Sequence, residues 1–134
     1  MTRLAAIAVA LCCLAAAGQA SAAVYFHSPS RNIRCVIAAT ALARCDIAER
    51  AWSPPPKPRS CPGDWGNGMQ VAPEGFGRFT CANDAVPAGR ELAYGDSIRR
   101  GPFRCTLRHR RGMRCVNLGT AHGFALSRTR ARGF

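Results

Sequence analysis

The sequence predicts an all-β fold: a small disulfide-stapled sandwich or barrel of short antiparallel strands, preceded by a helical signal peptide. Three observations carry this. Short β-prone runs recur about every ten residues with Gly and Pro between them, the rhythm of small β-sandwiches and barrels. Beyond the leader stand six cysteines, Cys35, Cys45, Cys61, Cys81, Cys105 and Cys115, an even set typical of disulfide-framed exported domains. No amphipathic window of helical length follows the leader.

Residues 1–22 have the anatomy of a secretory signal peptide. Arg3 gives the positive start, Leu4 to Ala17 the apolar stretch, and Ala20-Ser21-Ala22 the small residues before a cut. A cut after Ala23 fits nearly as well. The apolar stretch is shorter than the roughly 20 residues a membrane-spanning helix needs. Neither Cys12 nor Cys13 follows a lipobox, and no later stretch is long and apolar enough to span. Residues 23–134 are therefore expected to form one exported β domain, read as a monomer, at the envelope or outside the cell.

Val24-Tyr25-Phe26 opens that domain as a β-prone run, and His27-Ser28-Pro29-Ser30 turns. Asn32 to Ile37 alternates, with Ile33, Cys35 and Ile37 on one face. Ala38 to Ala43 reads as a connection able to carry a helical turn, and Arg44 to Ile47 returns as a strand. Ser53 to Arg59, with four prolines, is a stiff polyproline-like crossing. Cys61 to Gly68 is dense in turn signals. Met69 to Val71, Gly77 to Cys81, Glu91 to Asp96 and Phe124 to Ser127 are the further strand candidates. Arg128 to Phe134 reads as a basic tail.

Phe103 to Cys115 is the clearest unit, a hairpin with a basic tip from Arg108 to Gly112. If Cys105 opposes Cys115, Leu107 opposes Met113, and Gly112 is placed to take a positive φ. The same pattern occurs earlier. Arg34-Cys35-Val36-Ile37 aligns with Arg104-Cys105-Thr106-Leu107, and Arg44-Cys45 with Arg114-Cys115. Six half-cystines allow many connectivities, but opposed strand residues meet the spacing a bridge requires. Pairing in chain order, Cys35–Cys45, Cys61–Cys81 and Cys105–Cys115, is the physical expectation. Each ten-residue clip would stabilise the fold by about 2.5–3 kcal/mol. No Cys-x-x-Cys spacing or histidine cluster suggests a metal, and no cofactor is expected.

Without the leader, eighteen basic residues, seventeen of them Arg, face seven acidic ones, a net +11. After Asp96 there is no acidic side chain, while ten arginines follow. Such a field favours anionic partners. Arg104, Arg108, Arg110, Arg111, Arg114 and Arg128 are the candidate binding residues, with the hairpin tip at their centre. Export and the lack of a stacking platform argue against nucleic acid, which leaves anionic envelope polymers or lipids. The bland alternative is that the charge serves solubility alone.

The motifs taken together resemble a family of small exported actinobacterial proteins, common in mycobacteria and known only as a domain of unknown function. The matching stretches are Phe26-His-Ser-Pro-Ser-Arg-Asn-Ile-Arg-Cys35, Arg44-Cys-Asp-Ile47, Trp52 with the following prolines, and Cys61 with Asp64-Trp65-Gly66. They continue through Phe79-Thr-Cys81, Leu92-Ala-Tyr-Gly95, Cys105, Gly112-Met-Arg-Cys-Val-Asn117 and His122-Gly-Phe-Ala-Leu-Ser-Arg128. The resemblance implies a secreted, disulfide-bonded, mostly β domain and assigns no activity. Arg31 departs from it, standing where the family usually has Gly. If that position needs a positive φ, Arg31 is strained.

His27, His122, Ser28, Ser127, Asp46, Asp64, Glu74 and Glu91 are the groups from which a catalytic site would have to be built. No nucleophile elbow or ligand spacing marks any of them, so the chain is read as no enzyme. Trp52, Trp65, Tyr94 and Phe124 suit a small core better than a ligand groove. The expected function is non-catalytic binding of anionic envelope or extracellular material. A small secreted hydrolase, or a protease-inhibitor-like protein presenting the hairpin tip, is the alternative.

Overall fold

A computed structural model of the protein describes residues 22–134; the expected leader lies, but for its last residue, outside the described residues. The all-β expectation holds, and the architecture is a sandwich of two sheets. Sheet I contains β1 (Val24–His27), β2 (Ile33–Ala38), β3 (Leu42–Ile47), β4 (Trp65–Val71), β5 (Arg78–Cys81) and β6 (Arg90–Glu91), in the order β5-β4-β3-β2-β1-β6. Sheet II contains β7 (Ser97–Arg100), β8 (Phe103–Arg108), β9 (Gly112–Asn117), β10 (Gly123–Leu126) and β11 (Ala131–Gly133), in the order β11-β10-β9-β8-β7. Neighbours are antiparallel except β1 and β6, which run parallel.

Alternation decides which face of each strand turns inward. On β8, Phe103, Cys105 and Leu107 are buried, while Arg104 and Arg108 are exposed. On β9, Met113, Cys115 and Asn117 are buried and Arg114 is exposed. Sheet I supplies Phe26, Ile33, Cys35, Ile37, Ala43, Cys45, Ile47, Met69 and Val71 to the same core. Cys35 is bonded to Cys45, Cys61 to Cys81 and Cys105 to Cys115. The two ten-residue clips face each other across the sandwich, with the Cys45 and Cys115 sulfurs 3.7 Å apart. Neither sulfur carries a hydrogen, so this is a packing contact.

The two sheets are copies of one five-stranded meander. Cys35 opposes Cys45 and Phe26, as Cys105 opposes Cys115 and Ile98. Cys45 then opposes Met69, as Cys115 opposes Phe124. The match extends to close approaches. A Cβ at Gly68 would collide with the Cys45 carbonyl, and one at Gly123 with the Cys115 carbonyl. On the outer faces, Arg34, Arg44 and Arg78 occupy the places of Arg104, Arg114 and Arg132.

Several local expectations are corrected. Ala38 to Ala43 carries no helical turn: Ala38 already pairs with Leu42, leaving a three-residue tip. The hairpin tip is likewise His109 to Arg111, because Arg108 pairs with Gly112, whose φ is 77°. Trp65 to Gly68 is strand, bent by an irregular register between Trp65 and Met69. Of the run Glu91 to Asp96 only Glu91 is in a strand, β6, which begins at Arg90, and β7 lies just beyond the run. The basic tail is ordered by β11, where Ala131 to Gly133 pair with β10. The proline crossing is structural: Trp65 Nε1 donates to the Pro55 carbonyl at 2.8 Å, and Trp52 Nε1 to that of Ser127 at 2.8 Å.

Candidate functional site

The outer face of sheet II is built from the outward residues of all five strands, β7 to β11. A row runs across it through Ser97, Thr106, Arg114, Ala125 and Arg132, each opposite the next. Arg104 faces Arg99 in the neighbouring row. A groove of about 510 Å³ follows this face to the hairpin tip, lined by Arg108, Arg110, Arg111, Arg114, Arg130 and Arg132 among small and hydroxyl side chains. Among the described residues no Asp or Glu side chain lines it. Among the described residues none of these six arginines makes an ion pair or a side-chain hydrogen bond; both ion pairs belong to Arg44.

Two aromatic contacts shape the site. The Phe134 ring lies 4.7 Å from the Arg114 guanidinium and 5.8 Å from that of Arg132. Phe134 is held there by backbone bonds in both directions with Gly123, each 2.9 Å. Stacking on a ring orients a guanidinium without neutralising it, leaving the N–H edges for an anion. At the tip, Tyr94 meets His109 edge-on at 5.0 Å.

A second cavity of about 410 Å³ opens at the same end, between the sheets. Arg108 and Arg110 line both cavities, and Arg31 and Arg128 are added here, opposite Glu49. Arg31 has φ 61° and Arg110 φ 66°, in the left-handed region that disfavours side chains. The turn before β2 enforces the first: Arg31 N donates to Ser28 O at 2.8 Å and Ile33 N to Ser28 Oγ at 3.1 Å. Arg31 thus stands where glycine would be unstrained.

Of the arginines singled out from sequence, Arg108, Arg110, Arg111 and Arg114 share the groove. Arg128 lines the end cavity, and Arg104 sits further along the face. Arg130 and Arg132 were missing from that set because the tail carried no strand signal. The alternation of Arg130 and Arg132 with Ala131 and Gly133 was the available clue.

Of the groups considered for catalysis, Ser28 and Ser127 both line the end cavity, and neither histidine joins them there. His27 and Ser28 are buried, with His27 Nδ1 2.7 Å from Ser28 O. Asp46 and Asp64 line a cavity on the outer side of sheet I. Ser127 Oγ lies 3.4 Å from both Thr129 Oγ1 and Arg130 O. The His122 ring packs edge-on to Phe76 at 4.5 Å. Neither His27 nor His122 lines any of the three cavities. Phe124 is core, and Trp52 and Trp65 pack on Phe79.

On sheet I the corresponding face is partly covered by the protein's own chain. Residues 82–86 pass over β3, and Arg44 is bound by Asp46 and Asp84. Burial works against the Arg44 charge, but the hydrogen bonds to Asp46 and Asp84 and their charges outweigh it and raise its pKa.

No curated protein and no solved structure matches the chain. Residues 4–134 match the model of DUF6636, a family of unknown function, and the chain belongs to that family.

Proposed function

We propose that this protein is an exported, non-catalytic domain that binds an anionic polymer of the cell envelope or its surroundings through the outer face of sheet II. Three disulfides in so small a fold suit an oxidising, extracytoplasmic setting, and the apolar leader agrees. One observation carries the binding: six arginines line one groove with no Asp or Glu side chain among the described residues. Charge spread for solubility alone has no reason to collect on one face without counter-charges.

The test titrates the oxidised protein with polygalacturonate and with phosphatidylglycerol vesicles at rising salt. Binding to at least one should weaken steeply as salt screens the charges. Each arginine near an anionic surface is worth about 1 kcal/mol, so Arg110→Gln, Arg111→Gln and Arg114→Gln together should weaken binding about a hundredfold. Binding indifferent to salt or to the triple substitution overturns the reading.

A further inference from the structure

The folded chain already contains one example of what this kind of arginine face accepts. Arg44 and Arg114 hold equivalent places in the two meanders, each one strand from its Cys-clipped partner and each facing outward. Over Arg44 lies the 82–86 strap. Asp84 gives that single guanidinium both its carboxylate, 3.1 Å from Nη1, and its own main-chain carbonyl, 2.7 Å from Nη2. Two residues on, the Val86 amide donates to Asp46 Oδ2 at 3.1 Å, and Val86 is buried. The occupant of this face is an irregular peptide segment, bent at Asn83 and Asp84, with a carboxylate followed, two residues later, by an apolar side chain.

Sheet II repeats the receiving half without the strap. Arg114 is exposed, steadied by Phe134 and, among the described residues, free of carboxylates. Val116 replaces Asp46, so the place that held a peptide amide on sheet I offers an apolar surface on sheet II. Val116 lies just beyond the groove, and five more arginines share the groove with Arg114, where sheet I has the carboxylates of Asp46 on β3 and Asp84 on the strap.

We infer that the partner of the sheet II groove is an acidic polypeptide segment, laid over β9 and its neighbours β8 and β10 as the strap is laid over β3. An acidic-x-apolar motif would put its carboxylate on Arg114 and its apolar side chain on Val116. The surrounding arginines take further carboxylates along the segment. A peptide satisfies this arrangement because it brings the main-chain carbonyl and the carboxylate to one guanidinium together. A polysaccharide carboxylate lacks that carbonyl at fixed spacing. This inference rests on the anion-binding reading above and narrows it to a partner class.

The experiment measures binding of three probes of equal carboxylate number at one salt concentration. They are a peptide of repeated Asp-Ala-Val, the same composition with Asp and Val separated differently, and a polygalacturonate oligomer. The Asp-Ala-Val peptide should bind about tenfold tighter than either competitor, shifting backbone NMR signals of Thr106, Arg114, Val116 and Ala125. Val116→Asp, which recreates Asp46 on sheet II, should erase that preference by pairing Arg114 internally. Arg114→Gln, which introduces no new pairing, should erase it as well. Equal or tighter polygalacturonate binding at the groove overturns the peptide inference and leaves anion binding standing. Failure of all three probes to bind overturns the peptide inference, and failure of phosphatidylglycerol vesicles as well overturns both. Shifts confined to sheet I or to the Phe76 loop overturn the placement.

Discussion

Arg44 and Arg114 occupy the same position in two copies of one meander, yet they are in opposite electrostatic states. Arg44 is paired with Asp46 and Asp84 beneath a strap, and its side chain is 12% exposed. Arg114 is exposed, without a carboxylate partner among the described residues, and stacked on Phe134. The difference follows from two changes: Val116 stands where Asp46 stands, and the segment after β5 folds back over sheet I while the turns of sheet II stay short. A repeated scaffold thus has one arginine face used internally to hold its own chain and one left open. The inner faces show no such divergence. They keep opposed cysteines and the same glycine approaches, because both must fit one shared core.

The equality of the inner faces is open to the largest test. Cys35→Ala with Cys45→Ala removes one clip, and Cys105→Ala with Cys115→Ala the other. Each pair should cost about 2.5–3 kcal/mol, since each closes a ten-residue loop at the same register. Denaturant midpoints would measure both. Because the clips touch at 3.7 Å, removing both should depart from the sum of the two losses. Losses differing by more than about 1 kcal/mol would show that the two halves do not share the load as their geometry implies.

The difference of the outer faces gives the next effect. Asp46 accepts from Arg44 Nε at 3.0 Å, Arg44 Nη2 at 2.9 Å and the Val86 amide at 3.1 Å. Asp46→Val copies the sheet II residue onto sheet I. It leaves the Val86 amide without its acceptor and strips Arg44 of its nearer carboxylate, at a cost of about 1–3 kcal/mol. Thermal unfolding should register that loss, and amide exchange should speed up across 82–86. An unchanged strap would show that Asp46 does not account for the difference between the faces.

Much of this comparison was legible beforehand, and the reasons differ by element. The clips were readable because an Arg-Cys pair recurs at one spacing on both arms of two hairpins. The tip arginines were readable because no acidic side chain follows Asp96. β7 and β11 were not, since Ser-Ile-Arg-Arg and Ala-Arg-Gly gain strand form only by pairing with β8 and β10. Trp65 to Gly68 looked like a turn because a bulged strand uses the same glycines that turns use. The strap was invisible because Ala82 to Val86 is irregular chain, placed by the bonds Asp84 and Val86 make to residues about forty positions earlier.

The smallest expected effect concerns that strap alone. Asp84 is held below its ordinary pKa of 3.8, chiefly by the hydrogen bond from Arg44, then by a backbone bond and by the Arg44 charge. A carboxyl depressed in the folded state adds stability that is present above its unfolded pKa. That stability is lost as pH falls through the lower folded value. Asp84 should therefore let go of Arg44 only in strongly acidic solution, below about pH 3.8. Amide exchange or NMR shifts at Ala82 to Val86 should show a transition there, and Asp84→Asn should abolish it. Arg114 has no carboxylate partner among the described residues, so its neighbours on β9 should show no matching transition. A transition of equal size at Arg114 would mean that the open face carries a hidden counter-charge, and the contrast between the two arginines would fail.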